Sequence, residues 1–316
     1  MATRTGMRMS LGELFAAGGR GVSRYTGTLL AVFIAQSLLA AAIILPVSMV
    51  LSTVFAQLPI FDEAVDGDLV AMLWCLRHGR ATWFAVGGIV FGAILVWQLA
   101  SWFLAGGLYG VLAQRPDTRG DTARCFGASG AATYLAYARL AFCSLPGWML
   151  VLFVFGKGMA VVGDRAETAL AMTELIGPLA LALIPTLLLL HLLWTVTDYA
   201  RVELTLRHDT HDPGVIATYM RSFTYVLRHP LTLVHAGFGW MLFGLVTLTY
   251  LYLAAGHPMY GADGAVTLFF VRQGVSLLRM AIRVGVMSGQ IELGRTRALP
   301  PRRVEVKAEA KSERER

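Results

Sequence analysis

Arg272, Arg279 and Arg283 are the residues whose type and spacing could best do chemistry. They interrupt an apolar stretch at intervals of seven and four. At about 100° per helical residue they fall within roughly 40° of one another, on one stripe of one helix. Ser276 and Gln290 share that stripe. A guanidinium presents a planar fork of donors that grips phosphate or carboxylate oxygens bidentately. An arginine at the centre of a membrane helix costs about 2.5–3.5 kcal/mol on insertion scales. Three on one stripe are therefore expected to face the bundle or water rather than lipid. Two readings are open. The arginines bond carbonyls freed by prolines, together with Gln36, Gln98, Ser101 or His191, or they line a hydrated groove that holds an anionic lipid or amphiphile.

Acidic partners for this stripe are few. Asp198 and Glu203 lie near one end of another apolar run, within reach of Arg283. Asp198 and Arg201 are spaced i, i+3, which predicts a local ion pair at that helix end. Arg272 and Arg279 have no acidic partner at their depth. His191 and His235 stand in apolar runs and read as buried, hydrogen-bonded histidines.

No cofactor or metal site is expected. HExxH and CxxC are absent, and Cys75, Cys125 and Cys143 fall outside, inside and within the membrane, so no disulfide is expected. Asp62, Glu63, Asp66 and Asp68 are acidic but lack calcium-loop spacing. Gly127-Ala128-Ser129-Gly130 is not a G-x-S-x-G turn and follows no predicted strand. No nucleophile or metal cluster converges at one depth, so the chain reads as a non-enzyme.

The elements that must carry these residues are membrane helices. Of 316 residues, 56% are apolar and 15% charged, and the net charge is +7. Soluble domains carry about 25% charged residues. Six stretches are long enough to cross about 30 Å of hydrocarbon: 28–56, 81–113, 134–162, 175–202, 231–255 and 265–291. The first is too long for a signal-peptide core and is expected to stay as a membrane helix. Pro46, Pro146, Pro178 and Pro185 are kink candidates. Gly88–Gly92 and Gly106–Gly110 permit close helix packing, within the chain or in a homo-oligomer.

Charge sets the orientation. With the N-terminus inside, about 19 Lys and Arg flank the inner ends of the spans, against Arg77, Arg80, Lys157 and Arg165 outside. Both termini are expected in the cytoplasm of a bacterium, with the protein in its inner membrane. The tail 295–316 is basic and too poor in apolar residues to fold alone. It has no aromatic residue between its charges, which argues against nucleic-acid binding.

Amphipathic segments precede three of the spans. Leu11, Leu14, Phe15, Gly18, Val22 and Tyr25 fall on helical spacing, and so do Val215, Ile216, Tyr219, Met220, Phe223, Val226 and Leu227. Aligning Arg24 with Arg228 also aligns Val22 with Val226, Thr28 with Thr232 and Leu29 with Leu233. Phe126, Thr133, Tyr134 and Tyr137, ahead of Arg139, form a weaker copy. The pattern predicts interfacial helices over 9–26, 121–138 and 213–228, each followed by a transmembrane hairpin. These would be three parallel repeats within a membrane domain spanning 1–294.

The Arg-ended arms feeding hairpins form one element of a family likeness. Tyr199-Ala200-Arg201-Val202-Glu203-Leu204 after Asp198, then Leu227-Arg228-His229-Pro230, form another. Together they resemble bacterial membrane proteins related to the membrane domain of glycerophosphoryl diester phosphodiesterases. The resemblance implies an all-helical membrane domain and transfers no catalytic residue. The soluble barrel of that family has no counterpart in the chain. The expected partners are membrane lipids, anionic ones included, and a homo-oligomer or another membrane protein. The competing function is a permease for an anionic solute, which would use the same arginines.

Overall fold

A computed structural model describes residues 9–55, 80–166, 168, 171–207, 214–255 and 262–296. Among them every regular element is helical: α1 (Leu11–Arg24), α2 (Thr26–Phe55), α3 (Arg80–Gln114), α4 (Arg119–Ala166), α5 (Ile176–Leu206), α6 (Val215–Arg228), α7 (Pro230–Ala255) and α8 (Ala262–Thr296). A short 3₁₀ turn, Met172–Leu175, leads into α5. The protein is thus an all-α membrane protein: α2, α3, α4, α5 and α7 are long and apolar enough to cross a bilayer. The sixth expected span lies on α8, a continuous helix of 35 residues that carries the arginine stripe. The acidic segment 62–68, Cys75 and the tail beyond Thr296 lie outside the described residues.

Local chemistry explains the helix boundaries. Ser10 caps α1, its hydroxyl accepting from the Glu13 backbone while the Glu13 carboxylate accepts from Ser10 N–H at 2.7 Å. α1 stops at Tyr25, a single-residue joint before α2. Likewise α6 stops at Arg228, and His229 alone separates it from Pro230, the first residue of α7. The residue before a proline is pushed out of the helical region, and proline itself suits a helix start. Arg115 adopts φ 56 at the end of α3, a left-handed stop. Thr118 then accepts from the Asp121 backbone at 3.1 Å and opens α4.

Two expectations change here. The second arm, 121–138, is not a separate helix: α4 runs unbroken for 48 residues, because no proline or joint residue interrupts it before Pro146. Pro178 is not a kink site. It lies in the first turn of α5, where its missing N–H has no helical partner in any case.

The core lies toward the ends of the helices that carry the arginine-rich connections. Tyr109, Tyr137, Leu140, Val196, Val202, Val284 and Ile291 are almost completely buried there. The opposite halves display Leu38, Phe153, Leu188 and Leu248, each more than half exposed, as lipid-facing surfaces require.

α3, α5 and α8 each touch the other two and form an inner trio. Each trio helix also receives one arm: α1 packs on α8, the start of α4 on α3, and α6 on α5. Small residues make two of these seams close. A Cβ on Gly18 would lie 2.8 Å from the Gly285 carbonyl oxygen, and Ser288 donates to the Ala17 carbonyl at 3.0 Å. Side chains on Gly106 and Gly110 would strike Thr133 and Ser129 of α4. Gly88 and Gly92, by contrast, face open space.

Candidate functional site

The inner trio converges on polar residues. α5 contributes Asp198, which is 1% exposed. α8 contributes Arg283, whose two terminal nitrogens donate to the two Asp198 oxygens at 2.7 and 2.6 Å. This bidentate geometry is the strongest form of the pair. Gln290, two turns along α8 and fully buried, reaches Asp198 at 3.5 Å. Arg201 lies 3.4 Å from the same carboxylate. α3 contributes Tyr109, fully buried, whose ring meets Tyr137 edge-on at 6.4 Å between centroids. The Tyr109 hydroxyl and Gln290 Oε1 have no hydrogen-bond partner among the described residues.

The local Asp198–Arg201 pair that the i, i+3 spacing predicts is present at 3.4 Å, and the carboxylate also reaches Arg283, as its position allows. Its main partner is on another helix, because a carboxylate removed from water needs a bidentate donor more than a long contact to a neighbour on its own helix. Glu203 is corrected. It pairs with Arg221 of α6 at 3.0 Å and Arg207 at 3.4 Å, so it fastens an arm to α5 and serves no arginine of α8.

The three arginines of the stripe are not gathered into one groove. Arg283 is engaged by Asp198. The Arg279 guanidinium carbon lies 3.8 Å from the Phe243 ring centroid on α7, a cation–π contact. Arg272 is exposed. Helical rise explains the separation. Seven residues raise Arg272 about 10 Å above Arg279 along α8. Ser276, half-buried, lies between them.

An aromatic ladder flanks the stripe, a feature the arginine spacing does not announce. Trp148 of α4 meets Trp194 of α5 at 6.3 Å. Trp194 meets Trp240 of α7 at 5.1 Å, and Trp240 meets Phe243 at 5.8 Å. The Arg283 guanidinium lies 5.5 Å from the Trp194 ring. Both inner arginines thus rest on aromatic faces contributed by neighbouring helices. Tyr109 also escapes a search for charged motifs. Its one sequence signal is a hydroxyl-bearing ring flanked by Gly106, Gly107 and Gly110.

The histidines have distinct roles. His191 Nε2 meets the Leu233 carbonyl at 3.1 Å and ties α5 to α7. His235 is 1% exposed, buried as expected, and packs 5.7 Å from the Phe15 ring, and its Nδ1 has no hydrogen-bond partner among the described residues. No group of His, Cys, Asp or Glu among the described residues could hold a metal. Cys125 and Cys143 are free thiols.

A second set of charges marks the helix ends. Arg24 donates to Asp117 at 2.5 Å, and Arg115 pairs with Glu292, which Arg295 also approaches at 3.9 Å. Tyr25 donates to the Pro116 carbonyl at 3.4 Å. Burial raises its phenol above the ordinary range, while Arg24 and Arg115 pull it back. This clasp binds the α1–α2 joint, the α3–α4 turn and the end of α8 to one another.

Comparison with known protein families, curated proteins and solved structures gives no match.

Proposed function

We propose that the chain is a six-span, non-enzymatic protein of a bacterial inner membrane that holds an anionic amphiphile against Arg272 and Arg279. Both termini are cytoplasmic on this reading, and α8 is the sixth span. Twenty residues along α8 separate Glu292, in the charged clasp, from Arg272, about 30 Å of rise. That is one hydrocarbon thickness. Arg272 then stands at the outer headgroups, with Arg279 about 10 Å deeper.

The observation that carries the proposal is the state of Arg279. Its guanidinium carbon lies 3.8 Å from the Phe243 ring centroid, and among the described residues it forms no ion pair or hydrogen bond. A cation–π contact supplies no anionic oxygen to the N–H donors. Arg272 is on the same face of the same helix, is exposed, and has no ion pair or hydrogen bond among the described residues. Two unpaired guanidiniums at successive depths suit a phosphate or carboxylate headgroup entering from the outer leaflet. Arg283 has no part in this site, since Asp198 neutralises it.

The threefold organisation belongs to the same proposal. α1 and α6 both have 14 residues and each ends in a one-residue joint, and the two ends of the arm and the start of the helix after it are all offset by 204 positions. Each arm docks on the second helix of the preceding unit, α1 on α8, α4 on α3 and α6 on α5, which closes a ring. A permease for an anionic solute would need the centre of that ring to open. The Asp198–Arg283 pair opposes opening.

The test is native mass spectrometry of wild type and an Arg272→Gln/Arg279→Gln variant purified identically in mild detergent. Wild type is expected to retain an anionic lipid that the variant loses, while an Arg20→Gln control, at an exposed position of α1, keeps it. Equal lipid retention by wild type and the variant refutes the site.

A further inference from the structure

α6 divides its surface into three faces. Val215, Thr218, Ser222 and Val226 are buried against the protein. Ile216, Met220, Phe223 and Leu227 are exposed, at 69, 57, 37 and 54%. Ala217, Thr224 and Arg228 are also exposed and share a third face with Arg221. At about 100° per residue the centres of these faces are roughly 100–135° apart. A helix with one face on protein, one apolar and one polar is built for the line where protein, hydrocarbon and water meet.

The apolar face is not a requirement of the fold. The 204-residue offset that matches α1 to α6 places Gly12, Ala16, Gly19 and Ser23 where α6 has Ile216, Met220, Phe223 and Leu227. All four α1 residues are exposed, and none is a large hydrophobe. The buried faces do correspond: Leu14 and Gly18 match Thr218 and Ser222. Two arms that dock alike thus differ in the surface they leave free.

Charge and position identify the occupant. α6 carries Arg221 and Arg228 and no acidic residue. Arg221 is engaged by Glu203, so Arg228 is the cation left beside the apolar face. His229 alone separates α6 from α7, one of the membrane-capable helices, so α6 lies at the level where α7 enters the bilayer. We infer that α6, alone of α1 and α6, inserts its Ile216–Met220–Phe223–Leu227 face into the acyl region of the adjacent leaflet, with Arg228 at anionic headgroups. This deepens the proposed function, since it rests on the membrane placement of the helices proposed there. It does not involve Arg272 or Arg279.

The test is nitroxide depth measurement on the full chain in nanodiscs of phosphatidylethanolamine and phosphatidylglycerol, with Cys75, Cys125 and Cys143 replaced by Ala. Single labels go on Met220→Cys, Phe223→Cys, Thr224→Cys, Ala16→Cys and Gly19→Cys. Labels at 220 and 223 are expected to relax preferentially with oxygen, and those at 224, 16 and 19 with a water-soluble nickel complex. A preference for nickel at 220 and 223 overturns the inference and makes the face a docking surface for a soluble partner. Exclusion of both relaxants there also overturns it, in favour of contact with a second copy. Ile216→Cys and Leu227→Cys repeat the measurement if either central variant misfolds. Loss of lipid retention at Arg272 and Arg279 leaves these depths unchanged, so the two proposals fail separately.

Discussion

Replacing Asp198 by Asn should be among the costliest single changes in the molecule. The carboxylate is 1% exposed and receives both terminal nitrogens of Arg283. Its loss leaves that guanidinium, with Arg201 nearby, without a counter-charge inside the inner trio. Removing one partner of a buried pair costs about 3–5 kcal/mol. Arg283 keeps 31% of its side chain exposed and retains the Trp194 face, so the lower end applies. A loss of about 3 kcal/mol lowers the folding equilibrium constant more than a hundredfold. The assay is reversible unfolding in mixed micelles of dodecyl maltoside and dodecyl sulfate, followed by tryptophan fluorescence. Asp198→Leu/Arg283→Met removes both charges and refills the space. It is expected to recover to within about 1 kcal/mol of wild type. A cost below about 1 kcal/mol for Asp198→Asn would refute the reasoning. So would simple additivity in the double variant, because the penalty is assigned to an orphaned charge and not to lost volume.

Other consequences can be measured alongside. Gly18→Ala should cost about 1–3 kcal/mol in the same assay, since the new methyl meets the backbone oxygen of Gly285, which cannot move aside. Gly12→Ala, which meets nothing within 4 Å, should be neutral or stabilising. If the two behave alike, the close α1–α8 seam is wrong. For orientation, cysteines introduced as Asp66→Cys and Ser312→Cys into the cysteine-free chain should differ toward an impermeant maleimide. Position 66 should react in intact cells, and position 312 only after permeabilisation. The reverse pattern would invert the topology read from the arginines.

Much of the architecture is legible in the linear order of residues. Apolar length specifies membrane helices because backbone groups in hydrocarbon must be satisfied within their own segment. The joints at Tyr25 and His229 are local too, the second imposed by Pro230 on its neighbour. The paired arms are visible as amphipathic repeats for the same reason. The missing break in α4 marks the limit of that logic: a periodic polar–apolar pattern does not itself end a helix, and no residue there does.

The site is different. The spacing of Arg272, Arg279 and Arg283 places them on one stripe of α8, and no more than that follows from the chain order. Which arginine is neutralised depends on which helix lies opposite at each depth. Packing brings Asp198 of α5 to Arg283 and Phe243 of α7 to Arg279, and it leaves Arg272 exposed. The same holds for Tyr109, which is fully buried on α3, the trio helix that touches both α5 and α8. Helical periodicity and chain polarity are properties of contiguous residues, so the sequence alone determined the helices, their arginine-rich ends and the stripe. Counter-charges and aromatic faces come from residues 36 and 85 positions away, joined only by helix crossings, and the tertiary structure alone decided them.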